Sequence, residues 1–172
     1  MNRSTAREIA IQLCFAGANG KLSADELLDS FFAEEHYASL AAEDELYSEY
    51  PDDKQMDYIR RLVKLIDENR NEFDGFIERY SHGWKVERIS KTALAVLRCA
   101  LCEIIYMDDI PDSAAINEAV ELAKRFSEPA SARFVNGMLG AISRGEQPEG
   151  KKDQPASKPE QKADENGEKQ DS

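Results

Sequence analysis

Apolar residues recur at three- and four-residue intervals through most of the chain, and almost no stretch alternates with the period of two of a half-buried strand. A first helix is predicted roughly over Thr5–Gly17, with Ala6, Ile9, Ala10 and Leu13 on its inner face. Ser23 and Glu26 have capping-box spacing, in which the hydroxyl and the carboxylate satisfy each other's free backbone N–H groups. They open a second helix ending near Ala33, and an acidic loop follows. After Pro51 the buried stripe Met56, Ile59, Val63, Ile66, Phe73, Phe76, Ile77 and Tyr80 predicts one long helix. "KTALAVLRCALCEIIYM" (91–107) is apolar on nearly every side, the mark of a buried central helix. Beyond Pro111, "DSAAINEAVELAKRF" predicts a fifth helix with Asp112 or Ser113 as N-cap. Pro129 and Ser131 introduce a sixth, and Gly145 closes it as a glycine just past the helix end. The expected fold is all-α, a compact bundle.

From Glu146 onward the text changes to "EQPEGKKDQPASKPEQKADENGEKQDS", without Leu, Ile, Val or an aromatic ring. Such a segment cannot bury enough apolar area to offset its ordering entropy. The expected organisation is a helical domain over 1–145 and a disordered, charged tail over 146–172.

Composition narrows the class. No run of about 18 apolar residues is present, so no transmembrane helix is expected. The apolar run "IAIQLCFAGA" is broken by Gln12 and directly preceded by Arg7-Glu8, which reads as a structural helix and not a signal peptide. Cys14, Cys99 and Cys102 lie in apolar surroundings, which suits core cysteines in a reducing cytosol. Cys99 and Cys102 form a C-x-x-C, but His36 and His82 are isolated and no βαβ context is visible, so neither a metal site nor a redox motif is expected. No nucleophile–base pair or phosphate-binding glycine loop is readable, so no enzymatic activity and no cofactor are expected. Glu103, on the central helix, is expected to pair with Arg98 or another arginine.

The formal charge is −12, which taken alone argues against nucleic acid. Its distribution changes that reading. Residues 34–57 hold nine acids against the single base Lys54. Residues 1–21 hold Arg3, Arg7 and Lys21 against Glu8, and residues 124–145 hold Lys124, Arg125, Arg133 and Arg144 against Glu128. Two mildly basic ends flank an acidic middle.

The last helix sharpens the picture. Val135, Leu139 and Ile142 form its core stripe, while Arg133, Gly137, Gly140 and Arg144 face the other way. Each glycine costs roughly 1 kcal/mol of helix propensity, which predicts a close approach to the backbone there. Phe134 borders the two faces beside Arg133. This is either packing by another helix or a docking surface for single-stranded RNA, whose unstacked bases lie on aromatic rings while arginine meets phosphate. On the first helix Arg7, Ile11 and Phe15 line the side away from the core, either sandwiched between neighbours or as a second such surface.

"AREIAIQLCF", "WKVERISKTALAVLRCALCEI", "DIPDSAAINEAVELAKRF" and "SARFVNGML" resemble, in this order, the signature blocks of the NusB family of transcription antitermination proteins. The resemblance spans most of residues 3–142, and "AINEAVELAKRF" followed closely by "FVNG" is its most specific part. Trp84, Arg88, Leu97-Arg98 and Glu103 add to it. It implies about six to seven helices in two packed helical subdomains. It also implies a cytoplasmic protein that pairs with NusE, a small-subunit ribosomal protein. The pair would bind boxA-containing single-stranded RNA in ribosomal RNA leaders and nucleate an antitermination complex on RNA polymerase. By resemblance the RNA contacts are Arg3, Arg7, Gln12 and Phe15 on the first helix and Ser131, Arg133 and Phe134 at the start of the last. The NusE face is Tyr80, Glu87 and Lys91. Phe15 stands where tyrosine is frequent, and the Glu-rich loop and long tail are extra. The alternative is a helical protein–protein adaptor that binds a basic ribosomal partner without sequence-specific RNA contact.

Overall fold

A computed structural model describes residues 1–18, 20–81 and 85–146. Eight α-helices and two short 3-10 turns make up the described part, with no strand among those residues. The helices are α1 (Arg3–Gly17), α2 (Ala24–Phe31), α3 (Glu34–Glu43), α4 (Asp53–Glu68), α5 (Arg70–Tyr80), α6 (Lys91–Tyr106), α7 (Asp112–Phe126) and α8 (Pro129–Ser143). The tail from residue 147 onward, His82 and Trp84 lie outside the described residues.

The core is organised around α6. It packs on α1 and α4 on one side and on α5, α7 and α8 on the other, so it belongs to both helical groups. Ala93 to Leu97 and Cys99 to Ile104 are all buried, which explains why its sequence is apolar all round. Ser90 starts it by accepting the Ala93 N–H at 3.2 Å. The cysteines are reduced, and Cys99 and Cys102 belong to this core.

The predicted caps form. Ser23 accepts the Glu26 N–H and Glu26 accepts the Ser23 N–H at the start of α2. Gly145, at φ +68°, closes α8: its N–H reaches the Ile142 carbonyl at 3.1 Å while that of Glu146 reaches Ala141 at 3.0 Å, a Schellman motif.

Three expectations are corrected. The acidic loop is largely helical: α3 and the 3-10 turn Glu45–Tyr47 occupy it, held by an aromatic cluster of Phe31, Phe32, Tyr37, Tyr47 and Tyr50. The Tyr37 hydroxyl donates to the Glu49 carbonyl at 2.8 Å and ties the segment down. The long helix after Pro51 is two helices, because the chain leaves helical geometry at Asn69 (φ −116°) before α5 begins. The residue preceding α7 is Pro111, and neither Asp112 nor Ser113 caps it through a side chain. The helix count thus rises to eight.

Candidate nucleic-acid and partner interface

The two predicted RNA segments lie on either side of α7. α1 is joined to it by Ser4, whose hydroxyl donates to Glu118 at 2.8 Å, and by Arg125, whose guanidinium donates to both oxygens of Glu8 at 3.1 and 3.2 Å. α8 follows α7 after only Ser127 and Glu128.

Arg7 occupies a different environment from the one its spacing suggested. It is 4% exposed and forms a two-pronged ion pair with Glu103 on α6, Nε at 2.6 Å and Nη2 at 3.0 Å. The Tyr58 hydroxyl donates to the same carboxylate at 2.5 Å. Burial works against a charged guanidinium, but the hydrogen bond and charge of Glu103 hold Arg7 above its ordinary pKa. Burial also raises the Tyr58 pKa, so its hydroxyl remains a donor. Glu103 therefore pairs with an arginine, as expected, while Arg98 pairs with Asp74 at 2.8 Å. Ile11 is buried as well, so this flank of α1 is sandwiched and not free.

The other α1 residues remain accessible, but they do not converge on one point. Arg3 lies over the Tyr58 ring at 4.0 Å, Gln12 is half-buried, and Phe15 is 44% exposed. Arg3 and Phe15 are separated by about 18 Å along the helix axis at 1.5 Å per residue.

The start of α8 forms one wall of a groove of about 480 Å³. Ile89 and Ala93 line it together with Arg88, Phe126, Ser131 and Phe134. The groove thus brings Ser131 and Phe134 together. Phe134 is half-buried, packed against the core on one side and open to the groove on the other. Arg133 is exposed on the outer side of the same turn. Glu87 and Lys91 are exposed and flank Arg88–Ser90, the opposite wall, so the two predicted faces adjoin. Tyr80 is 4% exposed, and its hydroxyl donates to the Glu146 carbonyl at 2.8 Å, so unlike Glu87 and Lys91 it is part of the core and presents no open surface.

Phe126, 43% exposed and lining the groove, was missed by periodicity. Its position as the last residue of a helix, after a Lys-Arg pair, is the only sequence signal that could have marked it. The close approach expected at Gly137 is not made by the described residues, since a Cβ there would meet nothing within 4 Å. At Gly140 it is made internally, by the Arg144 guanidinium at 3.0 Å. No group of His, Cys, Asp and Glu able to hold a metal occurs among the described residues, and none of their helices is long and apolar enough to cross a membrane.

The described residues thus form an all-helical bundle with Arg88, Glu128 and the rings of Phe126 and Phe134 around a groove between α6 and α8. The NusB family model matches residues 4–144, and the chain belongs to the NusB family. The transcription antitermination protein NusB of Acetivibrio thermocellus is 41% identical over 142 residues, covering 83% of this chain and 88% of its own length. That of Clostridium botulinum is 37% identical over 142 residues, covering 83% of this chain and 99% of its own length. The structure of T. maritima NusB superposes with a TM-score of 0.69 at 28% identity, covering 86% of this chain and 94% of that one.

Proposed function

We propose that this chain is a cytoplasmic transcription antitermination factor without catalytic activity. It binds boxA-containing single-stranded RNA of ribosomal RNA leaders together with NusE and helps RNA polymerase pass premature terminators. The observation that carries the reading is the groove lined by half-buried Phe134 and Ser131, with exposed Arg133 on the adjoining surface, an arrangement suited to unstacked bases and phosphates. Arg3, Gln12 and Phe15 extend the RNA surface along α1. Arg7 supports it by fixing α1 to α6. Glu87 and Lys91 meet NusE, whereas Tyr80 is buried.

The test is RNA binding by three variants in the presence of NusE, with melting measured on each. Phe134→Ala should weaken boxA binding by about 1–3 kcal/mol. Phe134→Leu keeps the bulk and loses the π-face, so it should bind almost as poorly. Arg133→Ala should weaken boxA and scrambled RNA alike and flatten the salt dependence. If Phe134→Leu binds RNA normally, stacking is excluded. If Phe134→Ala and Arg133→Ala also leave RNA binding unchanged while NusE binding persists, the protein–protein adaptor reading, without direct RNA contact, takes over.

A further inference from the structure

We propose that Arg125 is a further RNA-contacting residue, bridging the α1 and α8 surfaces, and that Glu8 restrains it in the free chain. The inference rests on the RNA reading above. Arg125, in the last turn of α7, lines a cleft with Asn2, the cap of α1, and Thr5, while its neighbour Phe126 lines the groove with Ser131 and Phe134. The guanidinium lies over the Phe126 ring at 4.9 Å, so an arginine–aromatic pair stands at the step between the two surfaces.

The Arg125 side chain is 56% exposed although it is paired, whereas that of Glu8 is only 14% exposed. Glu8 is the fixed partner and Arg125 the accessible one. A guanidinium carries five N–H donors, and Glu8 engages one on each terminal nitrogen, so donors remain for a phosphate oxygen. The same cleft is lined by Asp44, Glu45 and Glu49. A phosphate at Arg125 therefore competes with Glu8 inside a negative field, and Glu8 is the carboxylate in direct contact with the guanidinium.

Two substitutions break this one ion pair from opposite sides, which separates an RNA contact from a structural tie. The assay is titration of a fluorescein-labelled boxA single strand with the full chain and NusE, repeated over a series of salt concentrations. Arg125→Ala should weaken binding about tenfold and lower the log–log salt slope by about 0.7, the loss of one phosphate contact on a single strand. Glu8→Gln removes the competing charge and should tighten binding about threefold at low salt, a gain that fades as salt rises. Arg125→Lys keeps the charge, loses the planar fork and should fall between wild type and Arg125→Ala. A structural tie predicts the same sign for Glu8→Gln and Arg125→Ala, and that result overturns the proposal. So does unchanged affinity in both while Phe134→Ala still weakens binding. If Phe134→Ala and Arg133→Ala also leave affinity unchanged, the RNA reading falls with it.

Discussion

Arg7 and Glu103, 96 residues apart in sequence, meet inside the bundle as a two-pronged ion pair that pins α1 to the central helix. Glu103 is 0% exposed, and Tyr58 donates to the oxygen that Arg7 Nε also contacts. Arg7→Ala would leave that carboxylate buried without its counter-charge and should cost about 3–5 kcal/mol in urea unfolding. The double change Arg7→Met with Glu103→Leu removes both charges and should recover most of that loss. A loss below about 1 kcal/mol for Arg7→Ala would contradict a fully desolvated pair.

Two glycines, one in the middle of α8 and one just past its end, should respond with opposite sign. Gly137 has helical geometry and open space around its missing Cβ, so Gly137→Ala should raise stability by about 0.5–1 kcal/mol. Gly145 sits at φ +68°, where a side chain meets its own backbone, so Gly145→Ala should lower stability by about 1–2 kcal/mol. Thermal melts of the two variants give the comparison directly.

Stability should decline in alkali. Burial pushes the Cys14 thiol up to about 12 and raises those of Cys99 and Cys102. An unfolded thiol ionises near pH 8.5. Above that pH the unfolded chain has released protons that the folded chain still holds, so stability falls as pH rises, and these thiols contribute no pH dependence below about pH 7. Burial likewise pushes Tyr37 and Tyr106 up to about 12, which adds a second decline above about pH 10. Melting temperature recorded between neutral pH and pH 10.5 should show the slope, and Cys99→Ala with Cys102→Ala should flatten its first part. Ellman's reagent should leave the Cys99 and Cys102 thiols unreacted until the protein is denatured.

Glu146, which composition assigns to the tail, is tied to the bundle. Glu146 closes the Schellman motif through its N–H and accepts the Tyr80 hydroxyl through its carbonyl. Truncation after Glu146 should leave the melting temperature unchanged, whereas truncation after Ser143 should lower it. Tyr80→Phe should cost about 0.5–1.5 kcal/mol, the worth of one intramolecular hydrogen bond. A fall of several degrees on truncation after Glu146 would instead mean that the remaining residues dock on the bundle.

Features made by residues close in sequence were legible. The Ser23–Glu26 capping box and the Gly145 terminus each need only a few consecutive residues, and α6 announced itself by its composition. The break at Asn69 was hidden because Ile66 and Phe73 continue the buried stripe across it. α3 was hidden because it buries only Tyr37, and an almost wholly exposed helix has the text of an acidic loop. Ser131 and Phe134 could be placed on a surface from one helix, but the wall they face comes from Arg88 to Ala93. Arg7 misled for the same reason: spacing marks the side of a helix, and only the fold supplies Glu103.

The burial of Arg7 also alters the kinetics of assembly. A charge neutralised inside the bundle sends little field into solution, so α1 and the turn after it attract a polyanion at a distance only through Arg3 and Lys21, with Glu8 opposing them. With a formal charge of −12, the chain is screened from a diffusing RNA strand beyond about a Debye length, some 8 Å at physiological salt, and presents net repulsion inside it. Encounter with the isolated chain should be slow, and steered by no long-range pull. A basic partner seated first would offset that repulsion, so productive assembly should follow a preferred temporal order: protein partner, then RNA.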